Sequence, residues 1–384
     1  MNLEQLLEYL KSSPRVHDNV TEWIRIPAKE AVYADFPEYI DERIKSALAR
    51  RGIRRLYSHQ ASAIAAVESG RNIVVVTPTA SGKTLCYDIP VLNAILKDEE
   101  SRALFLFPTK ALAQDQAVEL HELITEAGVD VKTYTYDGDT PQSARKAIRM
   151  AGHIVVTNPD MLHSGILPHH TKWTRLFENL KFVVIDEVHH YRGVFGSHLA
   201  NVIRRLRRIC RFYGSNPVFI CCSATIANPG ELASKIIGSD VEVIDNNGAP
   251  MGEKHFIFYN PPVVNKELGI RRSSLLEAEY LAEMLIRNSI QTIVFTKSRL
   301  NVEVLTTYLK DIFFGKMGDG NKVRGYRGGY LPRLRREIEQ GLRDGSITGV
   351  VSTNALELGI DIGHLEACIM CGYPGNIAST WQQA

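Results

Sequence analysis

Four apolar residues, Ile73 to Val76, run without a polar interruption, the composition of a strand buried on both faces of a parallel sheet. The run breaks at Thr77-Pro78 and passes through small residues to Gly82-Lys83-Thr84. A helical spacing of Leu85, Ile89, Val91, Leu92 and Ile95 follows. The same alternation continues downstream: apolar stretches at 103–107, 131–136, 153–156, 182–185 and 218–222 each end in a polar or small-residue turn. This order predicts an α/β fold with a doubly wound parallel sheet and its chemistry at the carboxyl ends of the strands.

The flanking segments complete the plan. Leu3, Leu6, Leu7 and Leu10 lie on one stripe of a short helix, and a second helix is expected at 41–51, so residues 1–54 read as a helical N-terminal extension. The first lobe is expected at 55–245. Asn-Asn-Gly-Ala-Pro-Met-Gly and Asn260-Pro261-Pro262 mark 246–270 as a linker. A second alternating series fills 271–384, with strands at 292–295, 322–324, 349–351 and 367–370. The chain stops at Gln382-Gln383-Ala384, inside what reads as a new helix. The second lobe is therefore expected to be incomplete and the chain to be part of a longer protein.

Composition narrows the class only slightly. The 384 residues are 45% hydrophobic and 23% charged, as in ordinary globular proteins. A net charge of +2 is too small to argue for nucleic acid, so such binding would have to come from local placement. No apolar run is long enough for a membrane span and the amino terminus lacks a secretory pattern, so a cytoplasmic protein is expected. Of six cysteines, only Cys368 and Cys371 have C-x-x-C spacing. On a strand they point to opposite faces, and they are read as reduced core thiols.

The loop between strand and helix carries the first chemistry. Thr77, Pro78, Thr79, Ala80, Ser81, Gly82, Lys83 and Thr84 form a phosphate-cradling turn opening a helix. Lys83 would reach the β- and γ-phosphates of ATP, and Thr84 would ligate Mg²⁺. Thr77 stands where this pattern usually begins with glycine. The second feature is Asp186-Glu187 at the end of an apolar strand. Asp186 suits Mg²⁺, and Glu187 suits polarising an attacking water. Gln60 lies ahead of the loop. A glutamine at a helix start can be a cap; at this spacing we read it as recognising adenine. Adjacent His189 and His190 diverge and are rejected as a metal site. Arg204, Arg205, Arg207, Arg208 and Arg211 share a helix with Leu199, Val202, Ile203, Leu206 and Ile209 and are read as its solvated face.

In sequence order, T-P-T-A-S-G-K-T, P-T-K-A-L-A-Q-D-Q, Y-D-G-D-T, T-N-P-D-M-L-H, D-E-V-H, S-A-T, T-I-V-F-T-K-S-R and S-T-N-A-L-E-L-G-I-D-I-G resemble the motifs of superfamily 2 helicases, in the DExH branch. D-E-V-H-H-Y-R-G-V-F-G-S-H and Y-R-G-G-Y-L-P-R-L-R-R-E-I-E resemble a bacterial DNA-repair type of that branch. The resemblance covers about Leu56 to the end and implies two RecA-like lobes in tandem. It implies that Ser223 and Thr225 couple hydrolysis to lobe movement, and that Thr109, Lys110, Asn158 and Thr353 lie along nucleic-acid phosphates. It also implies that Gly359 and Asp361 face the nucleotide, with Lys83, Asp186 and Glu187 catalytic.

The implied activity is an ATP- and Mg²⁺-dependent 3′ to 5′ DNA helicase serving repair. Its partner would be single-stranded DNA, or a duplex with a 3′ tail, bound by a monomer; protein partners are unknown. The family's arginine motif, Q-x-x-G-R-x-G-R, has no match after Gln382-Gln383-Ala384, so this chain alone is expected to hydrolyse ATP weakly. An RNA helicase on the same motor is one alternative, although D-E-V-H leans away from the RNA group whose box ends in Ala-Asp. A nucleic-acid clamp gated by ATP is the other.

Overall fold

The structure, a computed structural model, describes residues 1–317, 322–357 and 365–384. The chain divides into two compact units: Lys29–Met251, and Met1–Ala28 together with Gly252–Ala384.

Strand β1 (Val20–Ile26) follows two N-terminal helices, Leu3–Ser12 and Pro14–His17. In the Lys29–Met251 unit, β2 (Tyr33–Ala34) and β3 (Leu56–Tyr57) pair antiparallel. Then come β4 (Ile73–Val76), β5 (Arg102–Leu106), β6 (Thr133–Thr135), β7 (Ile154–Thr157), β8 (Leu180–Ile185), β9 (Val218–Ser223) and β10 (Glu242–Ile244). They build one seven-stranded sheet in the order β10-β4-β9-β8-β5-β7-β6, with every neighbouring pair parallel.

Burial follows strand parity. Ile73, Val75, Ala103, Phe105, Val184 and Ile220 enter one core with Ile64, Leu92 and Leu120 of the helices on that face. Val74, Val76, Leu104, Leu106, Val183 and Cys221 enter the other, with Leu199, Ile203, Leu206 and Ile236. Successive side chains on a strand point to opposite faces, so a strand covered on both sides must be apolar throughout. That is the origin of the unbroken apolar runs.

In the other unit, β11 (Lys254–Tyr259) pairs antiparallel with β1, and β12 (Val263–Asn265) pairs with β13 (Ile270–Arg271). Strands β14 (Thr292–Phe295), β15 (Val323–Tyr326), β16 (Gly349–Ser352) and β17 (Ala367–Met370) form a second parallel sheet in the order β15-β16-β14-β17. A final helix, Ile377–Gln383, is capped by Asn376. Glu357 accepts hydrogen bonds from Ser379 Oγ at 2.6 Å and Gln383 Nε2 at 2.8 Å, tying that helix to the segment after β16. The two parallel sheets with flanking helices are two RecA-like lobes.

The N-terminal residues depart from expectation. They are not one helical extension over 1–54: Met1–Ala28 belongs to the unit of the second sheet, and Lys29 onward to the first. Leu6 packs with Leu285 and Ile290, the amino terminus donates to Asn288 Oδ1 at 2.8 Å, and Arg15 stacks 3.4 Å over the Tyr280 ring. Buried Glu277 accepts from the Tyr259 hydroxyl at 2.6 Å and pairs with Arg272 at 3.1 Å. Strand β1 was hidden because its half-buried positions fall at Val20, Trp23 and Ile26, and an irregular register between Val20 and Glu22 breaks the two-residue period.

Two further readings meet the structure. Cys86, Cys210, Cys221 and Cys222 are buried thiols, but Cys368 is exposed and Cys371 half-buried. Strand β17 is the edge of its sheet, which exposes Cys368, while Cys371 still packs against the core of the second sheet. On helix Gly193–Tyr213 the apolar stripe is inward, with Arg204, Arg208 and Arg211 exposed; Arg207 donates to the carbonyls of Ile237 and Gly238. Among the described residues, no helix is long and apolar enough to cross a membrane.

Truncating fully buried Leu6 tests the docking of the first helix. Leu6→Ala should destabilise the unit of the second sheet by about 2–5 kcal/mol. Amide hydrogen exchange should show the loss at β14 to β17 and leave β4 to β9 protected; a loss confined to β4 to β9 would contradict the assignment.

Candidate nucleotide site

The loop after β4 is held by its own side chains. Ser81 Oγ donates to the Pro78 carbonyl at 2.8 Å and lies 2.6 Å from Thr77 Oγ1. Since the Ser81 proton goes to Pro78, the Thr77 hydroxyl is the donor between the two. Thr77 is fully buried and is not among the residues of positive φ, so the loop does not require glycine there. It does at Gly82, with φ +75° and Gln60 Nε2 only 2.6 Å from where a Cβ would stand. Ala80 also adopts a left-handed φ of 58°, a conformation costly for a residue with a Cβ. Thr79 lies beside it on the open side of the loop and is exposed.

Lys83 turns back over this loop. Its Nζ donates to the carbonyls of Thr77 at 3.0 Å and Pro78 at 2.8 Å. The Thr84 hydroxyl donates to Gln116 Oε1 at 3.1 Å. Gln60 is buried, its Oε1 accepting from the Tyr57 N–H at 2.8 Å and its Nε2 donating to the Gly82 carbonyl at 2.9 Å. The structure thus gives Gln60 the capping role weighed against base recognition. One amide proton and one acceptor lone pair remain beyond these two bonds.

Strand β8 delivers Asp186 and Glu187, both largely buried. Asp186 Oδ1 accepts the Glu187 N–H at 2.8 Å, and Glu187 is left-handed at φ 52°, ψ 46°. Burial raises the pKa of both carboxyls, and the Lys83 charge opposes the rise. For Glu187, burial and the neighbouring Asp186 charge push it up to about 8. Glu187 Oε2 is buried without a hydrogen-bond partner, although His189 Nδ1 stands 3.3 Å away. The same His189 nitrogen accepts the Ala224 N–H at 3.2 Å, so it cannot donate to Glu187 at the same time. His189 thus sits between the acidic pair and the segment after β9. Ser223 Oγ is buried and donates to the Ala224 carbonyl at 2.8 Å, whereas Thr225 is exposed.

Of the residues expected along nucleic acid, two follow strands β5 and β7, beyond β8 in the first sheet. Thr109 and Asn158 cap helices at the carboxyl ends of β5 and β7: Thr109 Oγ1 accepts from Leu112 N at 3.3 Å and Asn158 Oδ1 from Met161 N at 2.8 Å. Thr353 caps 354–356 in the other unit. Lys110 Nζ is paired with Asp139 at 2.8 Å. Gly359 and Asp361 lie outside the described residues.

Sequence reading missed His189, Gln116 and Tyr87. His189 was weighed only as a metal ligand. Gln116 lies within P-T-K-A-L-A-Q-D-Q and Tyr87 three residues after Thr84, but neither spacing announces a contact with the loop. The donor set fits Mg²⁺: the Thr84 hydroxyl keeps its lone pairs while donating its proton, and Asp186 supplies hard carboxylate oxygens.

The DEAD/DEAH box helicase family model matches residues 57–232, and the helicase conserved C-terminal domain model matches 276–384. A Bacillus subtilis (strain 168) protein named as an uncharacterized ATP-dependent helicase, YprA, is 61% identical over 100% of this chain and 50% of its own length. The Saccharomyces cerevisiae ATP-dependent helicase HRQ1 is 38% identical over 100% of this chain and 36% of its own. The crystal structure of the DUF1998 helicase MrfA bound to DNA and AMPPNP superposes with a TM-score of 0.96 at 60% identity, covering 100% of this chain and 53% of that one. The chain therefore spans half or less of the length of these two curated relatives.

A carboxyl whose pKa is raised on folding loses stability as pH climbs from its unfolded value, near 4.5, through its folded value, about 8. In metal-free buffer, Glu187→Gln should therefore be more stable than the parent above pH 4.5. The gain should grow to about pH 8 and then level off. Denaturant unfolding across pH 4 to 9 reads this directly, and a pH-independent difference would contradict the buried acid.

Proposed function

This chain belongs to the DEAD/DEAH box helicase family, and from that premise we propose that it is the ATP-dependent motor of a DNA helicase working 3′ to 5′ in repair, in the cytoplasm. The observation that carries the proposal is the convergence on one sheet edge of the Lys83 loop and the Asp186-Glu187 pair, close enough for the Lys83 charge to act on both acids. The expected boundaries, 55–245 and 271–384, are our assignment for the two motor lobes.

In this reading Lys83 exchanges the carbonyls of Thr77 and Pro78 for the nucleotide phosphates, and the N–H groups of residues 80–84 cradle them. Thr84 and Asp186 would hold Mg²⁺, which neutralises phosphate charge. Glu187 takes the proton of the attacking water; added positive charge beside it favours its ionised form. His189 and Ser223 carry the state of the acidic pair to the segment after β9, with Thr225 at its exposed end. Gln60 is our candidate for the adenine edge, using the amide groups left over from Tyr57 and Gly82. The left-handed Glu187 and Ala80 are the kind of strain that functional loops retain.

Thr109, Asn158 and Thr353 are proposed to place helix N-termini against phosphates of a single strand, with Lys110 leaving exposed Asp139 for the backbone. A surface ion pair is worth about 0–1 kcal/mol, so the exchange is inexpensive. Such contacts read backbone and not base. DNA rather than RNA is supported by the DNA-bound relative.

Two experiments test this. ATP turnover, measured on a form that includes the arginine motif, should rise with single-stranded DNA. Glu187→Gln should keep nucleotide affinity and lose about 10²–10⁴ in rate. Unstimulated turnover that Glu187→Gln leaves intact would refute the motor. For the DNA face, Lys110→Ala should lower the slope of log affinity against log salt by about 0.7, and an unchanged slope would remove Lys110 from it.

A further inference from the structure

Behind the Thr84 hydroxyl lies a chain of contacts that the motor reading leaves unused. Gln116, on helix Lys110–Ala127, accepts two hydrogen bonds at one oxygen: from Thr84 Oγ1 at 3.1 Å and from the Tyr87 hydroxyl at 3.0 Å. Its Nε2 faces Glu119 Oε2 at 3.4 Å. A carboxylate accepts only, so Glu119 fixes which end of the amide is nitrogen and turns the oxygen toward Thr84. That oxygen must then receive the Thr84 proton, which points the hydroxyl lone pairs elsewhere. Tyr87 is buried, and its single hydroxyl proton goes to Gln116.

We propose that Gln116 and Tyr87 form an outer shell for Thr84, with Gln116 the positioning residue that orients the Thr84 hydroxyl toward Mg²⁺. This rests on the reading of Thr84 as a metal ligand. A hydroxyl that can rotate offers its lone pair to a cation only part of the time. A fixed acceptor on its far side removes that freedom, as outer-shell partners do for other ligands. Glu119, Gln116 and Thr84 thus form a relay in which each group sets the orientation of the next. The second hydrogen bond, from buried Tyr87, holds the Gln116 oxygen in place.

The test is the Mg²⁺ dependence of nucleotide binding, read with a fluorescent ATP analogue and independent of turnover. The parent, Thr84→Val, Gln116→Met and Gln116→Asn are compared in EDTA and across a Mg²⁺ titration. Expected is unchanged affinity in EDTA for both Gln116 variants, with the half-saturating Mg²⁺ concentration raised about tenfold or more, and a still greater loss of the Mg²⁺ response for Thr84→Val. If Thr84→Val loses the response and both Gln116 variants keep it, the outer shell is overturned while the metal reading stands. If Thr84→Val keeps the response, the metal reading fails and the proposal with it. If the Gln116 variants weaken binding equally with and without Mg²⁺, Gln116 serves only the fold and the proposal is overturned. Gln116→Asn decides the question if Gln116→Met does not fold.

Discussion

Lys83 is the charge on which the site depends. Two carboxyl groups, Asp186 and Glu187, are buried side by side at the end of β8, and burial drives both toward their neutral forms. Their mutual repulsion adds to that drive at Glu187. The ammonium of Lys83 is the nearby cation that opposes it, while two of its three protons go to the Thr77 and Pro78 carbonyls. An ammonium held by neutral carbonyls has not spent its charge on an anion. It can therefore trade those carbonyls for phosphate oxygens at a gain, which a tight ion pair with Asp186 would prevent. The cost of burying two acids becomes tolerable because the fold expects further positive charge.

Sheet order then separates two kinds of chemistry. Strands β4, β9 and β8 lie next to one another and carry the phosphate loop, the Ser223-Ala224 turn and the acidic pair. Strands β5 and β7 lie beyond β8 and end in the helix caps Thr109 and Asn158. His189 joins neighbours within the first group through Ala224. A parallel sheet makes this possible because every strand delivers its carboxyl end to the same edge.

Much of this was legible in the sequence, for a physical reason. Strands buried on both faces must be apolar throughout, so β4, β5, β8 and β9 announced themselves, and the turns after them carried Lys83, Thr84, Asp186 and Glu187. Short or half-exposed strands carry no such signal: β1 with its irregular register, and β10 with three residues, were not read. The division of residues 1–54 between two units depends on long-range contacts such as Leu6 with Leu285, which no local pattern encodes. Gln60 shows the opposite limit. Its bond to Tyr57 is the local cap that the sequence allowed, but its bond to Gly82 follows from the folded geometry alone. The His189 and Gln116 links are likewise tertiary, joining residues 35 and 32 positions apart.

The most direct test of the account is nucleotide affinity with Lys83 replaced. Isothermal titration of ATP with Mg²⁺ should show Lys83→Met binding at least about a hundredfold more weakly than the parent, as expected from losing a charge-assisted phosphate contact in a buried site. Hydrogen exchange at β4 and β8 should remain protected. Unchanged ATP affinity in a folded Lys83→Met protein would contradict the claim that Lys83 is the phosphate-binding charge of this site.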